Sequence, residues 1–372
     1  MLRGACVFRE RPFAVALDPR RVTVIGNPTL EGPSDRPYSI ASMRYIIIGA
    51  GAVGGVIGAR LAQGGNDVVL VARGAHLAAL RETGLRLVTS AGTETLSIPA
   101  VQGPAELGEL RADDVLVLAV KSQDTSTALA QWAAVPVAGG GIAADRLALV
   151  CAQNGVENER VAQRIFRTVY GMCVWLPATH LEPGVVVSHT APLSGMLTLG
   201  RYPHGSDSVI KEFGEHLSAS TFDAPIVEDV MRWKYGKLLN NLGNALMALL
   251  ADGTGVATDL WQACRAEGEA VLDRAGIAYN TEAERQAVQG DRMQVQQIEG
   301  VDRLGGSTWQ SLARGTGSVE GDYLNGEIAM LGRLHDVPTP VNDLLQRLVA
   351  EYARERRQPG DLSADRLRAM LG

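Results

Sequence analysis

The feature that most constrains the fold is a glycine-rich turn between an apolar run and a helical pattern. The run Tyr45–Ile48 leads directly into GAGAVGG at 49–55, and apolar residues at helical spacing follow to Leu61. In a strand–turn–helix unit that binds a dinucleotide, the first glycine makes the tight turn and the second lets the backbone approach a pyrophosphate. The third lets the helix pack against the strand. Because strand and helix patterns both flank the motif, it is more specific than the glycines alone. The sequence therefore predicts a dinucleotide site at Gly49, Gly51 and Gly54.

The residue after the next predicted strand indicates which dinucleotide is bound. The strand Asp67–Val71 is followed by Arg73, roughly 20 residues after the glycines, where such units contact the ribose 2′ position. An acidic side chain there favours NAD, whereas an arginine favours the 2′-phosphate of NADP(H). The alternative is a surface arginine with no role in binding. We expect NADPH to be the cofactor.

Composition excludes several classes of protein. The chain has 372 residues, of which 46% are hydrophobic and 20% charged, as in a soluble globular protein of two or three domains. A net charge of −6 argues against general affinity for nucleic acid. The four cysteines are far apart, and no Cys/His cluster has metal-ligand spacing, so we expect no metal site. A reducing cytoplasm is the simplest compartment.

The first 42 residues differ from the rest. They are rich in arginine and proline, show no periodicity, and contain apolar runs too short for a signal sequence or a membrane span. Acidic residues such as Glu10 and Asp18 argue against a transit peptide. We expect Met1–Ser42 to be a disordered extension and the fold to begin at Met43. The longest uncharged stretch contains proline and three consecutive glycines, so no membrane span is predicted.

Residues 43–227 alternate between strand and helix patterns. This alternation predicts an N-terminal α/β domain of the Rossmann type, with a parallel sheet covered by helices on both faces. The predicted strands are Arg44–Ile48, Asp67–Val71, Leu85–Thr89, Asp114–Val120 and Leu147–Cys151, with Val185–Ser188 and Gly195–Leu199 completing the sheet. The predicted helices are Val53–Gly64, His76–Thr83, Ser126–Ala134 and Val156–Ile165.

Residues 228–372 carry helical patterns with almost no strand signal. We therefore expect an all-helical second domain that contributes to the substrate site. Its predicted helices are Val230–Leu250, Val256–Ala275, Glu282–Glu299, Val319–His335 and Val341–Arg357. In such an arrangement the active site lies between the domains, at the carboxyl ends of the strands.

Two strand ends carry polar residues that could reach such a site. Lys121 follows the apolar strand at 115–120, where it could point toward a cofactor or lie in a solvated loop. Asn154 lies in QNG at 153–155, after the next strand. Since Asn-Gly is also a strong turn dipeptide, Asn154 could serve the loop geometry alone. We expect it to contact the ligand.

A third group of polar residues lies on the first helix of the second domain. Lys237, Asn241 and Asn244 have the i, i+4, i+7 spacing of one helical face in a leucine-rich segment. A solvated polar stripe is the commoner meaning of this spacing. However, an ammonium and two amides among leucines are costly unless they face a ligand or each other. A partly buried lysine with a lowered pKa can protonate a developing alkoxide.

The last candidates are Ser307 in STWQ and Glu320 in EGDYLNG. Ser307 could cap a helix and Glu320 could occupy the first turn of another, which are structural roles. Alternatively, the Glu320 carboxylate could hold the Lys237 ammonium in place. Four of the six histidines lie between His180 and His216 with no metal-ligand spacing, and we interpret them as surface or core residues.

Taken in order along the chain, these motifs resemble ketopantoate reductases (2-dehydropantoate 2-reductases). The resemblance extends from Met43 nearly to the C-terminus, which makes it far more specific than the glycine motif. It rests on GAGAVGG, Arg73, AVK at 119–121, QNG at 153–155, KLLNN at 237–241, STWQ at 307–310 and EGDYLNG at 320–326. It implies an oxidoreductase that uses NADPH to reduce a 2-keto acid to a 2-hydroxy acid, in pantothenate biosynthesis where the substrate is ketopantoate.

The resemblance also implies roles for individual residues. Lys237 would be the general acid, and Glu320 would position the substrate hydroxyl and the lysine. Asn154 and Asn241 would contact the substrate, and Ser307 would bind its carboxylate. In the cofactor site, Lys121 would lie near the nicotinamide ribose and Arg73 would hold the 2′-phosphate.

This chain departs from the family pattern at the second helix asparagine, where it has Ala245 and places Asn244 one residue earlier. The departure leaves the substrate open. A related dehydrogenase acting on another keto or hydroxy acid or on an opine, and a non-catalytic NADP(H) sensor, are the alternatives. The expected partner is a small 2-keto acid, and the apolar helical domain could support a homodimer.

Overall fold

The computed structural model describes residues 43–180, 182–251, 257–300 and 305–372; the predicted extension Met1–Ser42 lies outside these residues. The strands are β1 Arg44–Ile48, β2 Asp67–Val71, β3 Leu85–Thr89, β4 Gly92–Leu96, β5 Ala100–Val101, β6 Asp114–Leu118, β7 Ala148–Cys151, β8 Thr168–Trp175, β9 Ala178–Thr179, β10 Val185–Ser188, β11 Thr190–Pro192, β12 Gly195–Arg201, β13 Phe222–Asp223 and β14 Met293–Val295.

The helices follow the same order along the chain. They are α1 Ala52–Gln63, α2 Gly74–Thr83, α3 Thr125–Trp132, α4 Ala143–Arg146, α5 Asn158–Gln163, α6 Ser208–Ala219, α7 Val230–Asn241, α8 Asn244–Leu249, α9 Thr258–Ala275, α10 Glu282–Gln289, α11 Ser307–Ala313, α12 Asn325–Leu334, α13 Pro340–Glu355 and α14 Ala364–Ala369. Short 3-10 turns occupy Ser122–Asp124 and Glu320–Tyr323.

The main sheet has eight strands in the order β13-β12-β8-β7-β6-β1-β2-β5. The strand β1 pairs in parallel with β2 on one side and β6 on the other. Every residue of β1 is buried, as expected for an apolar strand covered on both faces. In this sheet only the pairing of β12 with β8 is antiparallel. The α/β fold predicted from the alternating pattern is confirmed.

Two predicted strands do not belong to this sheet. Leu85–Thr89 and Val185–Ser188 form a second sheet in the order β4-β3-β10-β9. The side chain of Arg86 in β3 is exposed while its neighbours Leu85 and Leu87 are buried. This alternation is typical of a strand with one solvated face rather than one inside a doubly covered sheet. The prediction that both strands complete the main sheet was therefore wrong.

The second half of the described chain is mainly helical, but several elements differ from the prediction. The single helix predicted over Val230–Leu250 divides into α7 and α8 at Leu242 and Gly243. Gly243 packs so closely on Trp261 that a Cβ there would lie 2.5 Å from the indole ring. The helix predicted over Glu282–Glu299 ends at Gln289, and β14 then pairs with β11. The helices α11 and α14 were not predicted. The helix predicted from Val319 begins at Asn325 as α12, after the 3-10 turn at Glu320–Tyr323.

Three apolar clusters hold these layers together. One lies on each face of the main sheet, around Ile47 and Ile46 respectively. The third lies among the helices, centred on leucines of α7 and α8. The helix α7, which contains Lys237, packs against the strands β8 and β12 of the main sheet. No helix in the described residues is long and apolar enough to cross a membrane.

Candidate active site

A cavity of about 600 Å³ opens at the carboxyl ends of the central strands, between the sheet and the helical layer. Such a volume is typical of a site for a small molecule or cofactor. All but one of the residues predicted for the site line this cavity, the exception being Gly54. They are Gly49, Gly51, Arg73, Lys121, Asn154, Lys237, Asn241, Asn244, Ser307 and Glu320.

The glycine turn has the geometry that the motif predicts. Gly49 has φ +103°, and a Cβ there would lie 2.9 Å from the backbone nitrogen of Val120. A Cβ on Gly54 would lie 2.1 Å from the Gly49 carbonyl oxygen, so this glycine permits close packing of α1 and lies behind the cavity. At Gly51 nothing lies within 4 Å of the same position. The chain thus leaves open space at the N-terminus of α1.

Arg73 also lines the cavity, and it lies immediately before α2. Its side chain is 82% exposed, and its guanidinium lies 3.7 Å from the Asp124 carboxylate. An exposed pair at this distance is weak. The guanidinium therefore stays available to an anionic ligand at the end of β2.

Lys121 points across the cavity and donates a hydrogen bond to Ser311. Burial lowers the pKa of Lys121, and the Glu320 carboxylate acts in the opposite direction. Ser311 in turn donates to the Ser307 carbonyl, 2.7 Å away. Ser311 was not among the predicted site residues, although it directly follows the STWQ motif and lies one helical turn after Ser307.

Glu320 is buried, and its Oε1 accepts hydrogen bonds from the backbone nitrogen and the hydroxyl of Ser122, at 3.2 and 3.1 Å. This contact joins the 3-10 turn before α12 to the loop after β6. The influence of Glu320 on Lys237 is electrostatic and raises the pKa of that lysine. Ser122 was not predicted, although it directly follows Lys121.

Lys237 lies on α7, half-buried, with its ammonium 5.0 Å from the centre of the Trp175 ring. Burial lowers the pKa of Lys237 to about 8, and the positive charge of Lys234 lowers it further. Cys173 and Glu320 oppose the shift. A lysine with such a pKa exchanges a proton readily near neutral pH.

Two asparagines beside Lys237 each have one side-chain amide atom with no hydrogen-bond partner among the described residues. The Asn154 Oδ1 and the Asn241 Nδ2 are both buried and form no hydrogen bond. Both residues line the same cavity as Lys237. Since buried polar groups are normally paired, one unpaired acceptor and one unpaired donor here point to a polar ligand.

The remaining predicted residues lie on the helical wall. Asn244 is the first residue of α8. Ser307 is the first residue of α11, whose cap is Gly306, so the alternative that Ser307 caps the helix was wrong.

Several aromatic and basic residues of the cavity were missed from the sequence. His76 bridges two loops: its ring contacts the Ala50 carbonyl at 2.7 Å and accepts from the Gly184 nitrogen at 2.9 Å. His180, whose ring centre lies 4.3 Å from that of His76, also lines the cavity, as do His189, Trp175 and Arg314. His189 is buried, as the interpretation of it as a surface or core residue allows, and His180 is partly buried; the sequence did not show that both line the cavity. Trp175 ends β8, a strand that the sequence analysis did not predict, so the strand-end criterion that selected Lys121 did not reach it.

Comparison with known proteins agrees with this geometry. The family model described as ketopantoate reductase PanE/ApbA matches residues 45–204, and the model for the C-terminal part of that family matches residues 229–353. The chain belongs to the ketopantoate reductase family. It is thus an oxidoreductase of the 2-dehydropantoate 2-reductase type.

Relatives within the ketopantoate reductase family match this chain over most of its length. A 2-dehydropantoate 2-reductase of Mesorhizobium japonicum is 31% identical, with 84% of this chain and 99% of the relative covered. One from Pyrococcus horikoshii is 27% identical, with 82% and 96% covered. Among solved structures, a PanE/ApbA family ketopantoate reductase from Ralstonia eutropha JMP134 has a TM-score of 0.67 at 26% identity, covering 85% of this chain and 100% of that chain.

A more distant structure shares the fold alone. A D-mandelate dehydrogenase, solved with NADH and anilino(oxo)acetate, is 22% identical with a TM-score of 0.69, covering 85% of this chain and 100% of that chain. The ketopantoate reductase fold is therefore shared with an enzyme of a different name.

Proposed function

We propose that this protein reduces a 2-keto acid to the corresponding 2-hydroxy acid with NADPH, and that 2-dehydropantoate is the physiological substrate. The observation that carries the proposal is the position of Lys237. Its ammonium, with a pKa of about 8, lines the same cavity as residues 49–53 of the glycine turn. Reduction of a carbonyl by a nicotinamide cofactor requires a proton donor and a dinucleotide-binding site that open onto the same cavity.

The residues of the glycine turn fit a dinucleotide. The open space at Gly51 lets the backbone approach a pyrophosphate, and the N-terminus of α1 favours negative charge. The exposed guanidinium of Arg73 suits a 2′-phosphate, which supports NADPH over NADH. When bound, the reduced nicotinamide supplies the hydride.

The chain's own residues complete the reaction. Addition of hydride to C2 leaves negative charge on the carbonyl oxygen, and Lys237 donates its proton to that oxygen to give the hydroxyl. In the reverse direction the neutral amine of Lys237 accepts the same proton. Trp175, packed against the ammonium, keeps bulk water from one side of it. The low accessibility that lowers the pKa of Lys237 thereby favours transfer to the substrate over loss to solvent.

The polar residues around Lys237 supply recognition. The unpaired Asn241 Nδ2 donates to an oxygen of the substrate, and the unpaired Asn154 Oδ1 accepts from a substrate hydroxyl or from Lys237. Ser307, at the N-terminus of α11, binds the carboxylate, with the Lys121 ammonium contributing positive charge nearby. Glu320 holds the loop after β6 through Ser122 and offsets part of the positive charge.

The test is NADPH oxidation by the purified protein, followed by absorbance, with 2-dehydropantoate beside a panel of other 2-keto acids. Selective turnover of 2-dehydropantoate would support the whole proposal. Turnover of another keto acid alone would keep the reaction and change the substrate. Turnover that requires an added amine would instead identify an opine-type dehydrogenase, and NADPH binding without any turnover would identify a sensor.

A further inference from the structure

A buried ion pair lies directly behind the proposed proton donor, outside the main cavity. The side chains of Lys234 on α7 and Glu159 on α5 are 2% and 0% exposed, and the ammonium donates a hydrogen bond to the Glu159 Oε1. Neither residue lines the 600 Å³ cavity. Removing two charges from water costs more than such a contact usually returns, so the pair is weak evidence for a purely stabilising role.

The pair connects the two segments that carry the substrate-facing groups. Lys234 Nζ also donates to the Gln153 carbonyl oxygen, 3.1 Å away, in the residue before Asn154. On α7, Lys234 lies three residues before Lys237, and side chains at this spacing are neighbours with about 5–6 Å between their Cβ atoms. One ammonium thus links the proton-donating helix to the loop that carries Asn154.

Other hydrogen bonds also hold this loop. The Gln153 side chain donates to the Val120 carbonyl and to the Thr125 hydroxyl, both at 2.8 Å. Asn158, the residue before Glu159, donates to the Asn154 carbonyl oxygen at 2.8 Å. These hydrogen bonds fix the backbone at 153–154. The hydrogen bond from Lys234 to the Gln153 carbonyl oxygen joins this loop to α7.

The charge of Lys234 also acts on Lys237 electrostatically. The titratable groups that face Lys237 are Lys234 on its own helix, Cys173 on β8 and Glu320 before α12; Lys234 lowers the pKa of Lys237, and the other two raise it. The guanidinium of Arg285 lies over the same Trp175 ring, 4.8 Å from its centre. The desolvated surroundings make the charge of Lys234 felt more strongly than it would be in water.

We propose that Lys234 and Glu159 form a positioning pair, which holds Lys237 and Asn154 in their reactive arrangement and sets the ease with which Lys237 gives up its proton. The proposal rests on the proposed function, because it takes Lys237 as the proton donor. Neither Lys234 nor Glu159 contacts substrate in this scheme. Their effect passes through the helix, the loop and the electrostatic field.

The decisive variant removes both charges at once, as K234M/E159Q. Since replacing both members of a buried pair leaves no unpaired charge, this variant is expected to fold. We expect its kcat to fall about tenfold with an unchanged Kd for NADPH, and the alkaline limb of its pH–kcat profile to move up by about 0.5 pH unit or more. A merely structural pair would leave kcat and the profile as in the wild type, and that result would overturn the proposal.

The single variant E159Q keeps the proposal testable should the double variant fail to fold. It retains the charge of Lys234 without its counter-charge, so the alkaline limb should move to lower pH. In the conservative variant K234R, the alkaline limb of the pH–kcat profile should stay at the wild-type pH. The matched control is R232M/E284Q, a partly exposed ion pair that joins α7 to α10, which should change neither kcat nor the profile. An unmoved limb in E159Q with wild-type kcat would again contradict the proposal.

A second readout separates this proposal from the proposed function. The pH dependence of reductive methylation at Lys237, measured by mass spectrometry, reports the pKa of that amine without any turnover. If no keto acid is reduced, the proposed function fails, whereas a shifted methylation midpoint in K234M/E159Q still supports the pair. If the methylation of Lys237 has the same midpoint pH in the variant and in the wild type, the proposed role of the pair is wrong, even if the enzyme is active.

Discussion

The ammonium of Lys237 lies 5.0 Å from the centre of the Trp175 ring, on the wall of the cavity that Asn154 and Asn241 also line. The ring face favours the charged form of the lysine, while burial favours the neutral form. Burial has the larger effect, and the pKa falls to about 8. The proton is thus held firmly enough to be present at neutral pH and loosely enough to be transferred.

Replacement of Lys237 by alanine should therefore remove the chemistry and leave cofactor binding. We expect kcat for keto acid reduction to fall by about 100-fold or more, with a Kd for NADPH within about twofold of the wild type. Steady-state kinetics and fluorescence titration measure the two quantities. Lys211→Ala, at an exposed lysine of α6, is the control and should keep full activity. Near-normal turnover in Lys237→Ala would show that another group donates the proton.

The pH dependence should follow the same lysine. Reduction needs the charged ammonium, so kcat/KM should be constant below about pH 8 and fall about tenfold per pH unit above it. Oxidation of the hydroxy acid needs the neutral amine, so that rate should rise with pH and level off above about pH 8. The two profiles are measured in the same buffers. A limb near pH 8 that persists in Lys237→Ala would assign it to a different group.

Replacement of Arg73 by alanine should change the choice of cofactor. The exposed guanidinium is the basic group at the end of β2, so its loss should weaken NADPH binding about tenfold or more and leave NADH binding almost unchanged. Titration with each dinucleotide measures the ratio. Arg86→Ala, at an exposed arginine of β3, is the control. Equal loss of affinity for both dinucleotides would argue against contact with the 2′-phosphate.

The glycines of the turn should separate binding from stability. A methyl group at Gly51 meets open space, so Gly51→Ala should keep the thermal midpoint of the wild type while weakening NADPH about tenfold or more. At Gly54 the methyl would lie 2.1 Å from the Gly49 carbonyl, so Gly54→Ala should cost about 1–3 kcal/mol of unfolding free energy. Thermal unfolding and NADPH titration measure both. A destabilised Gly51→Ala variant with normal affinity would reverse the assignment.

The sequence by itself was sufficient for features that depend on local spacing. The first two strands, β1 and β2, begin and end at the residues predicted from the apolar runs. A short β-branched run between turn residues is typical of a strand and of little else. The residues chosen at strand ends and on one helical face also lie on one cavity. Parallel strands end at a common edge, so residues that follow different strands are brought together by topology alone.

The tertiary structure decided everything that depends on partners distant in the chain. The sequence pattern of a strand does not show which other strand it pairs with. Only the folded chain shows that β3 and β10 belong to a second sheet. The hydrogen bond from Ser122 to Glu320 joins residues 198 positions apart, and the pairing of Lys234 with Glu159 spans 75. Spacing predicts which face a side chain occupies, but the burial that lowers the pKa of Lys237 comes from packing α7 against β8. Desolvation depends on the whole surrounding volume, which no local pattern contains.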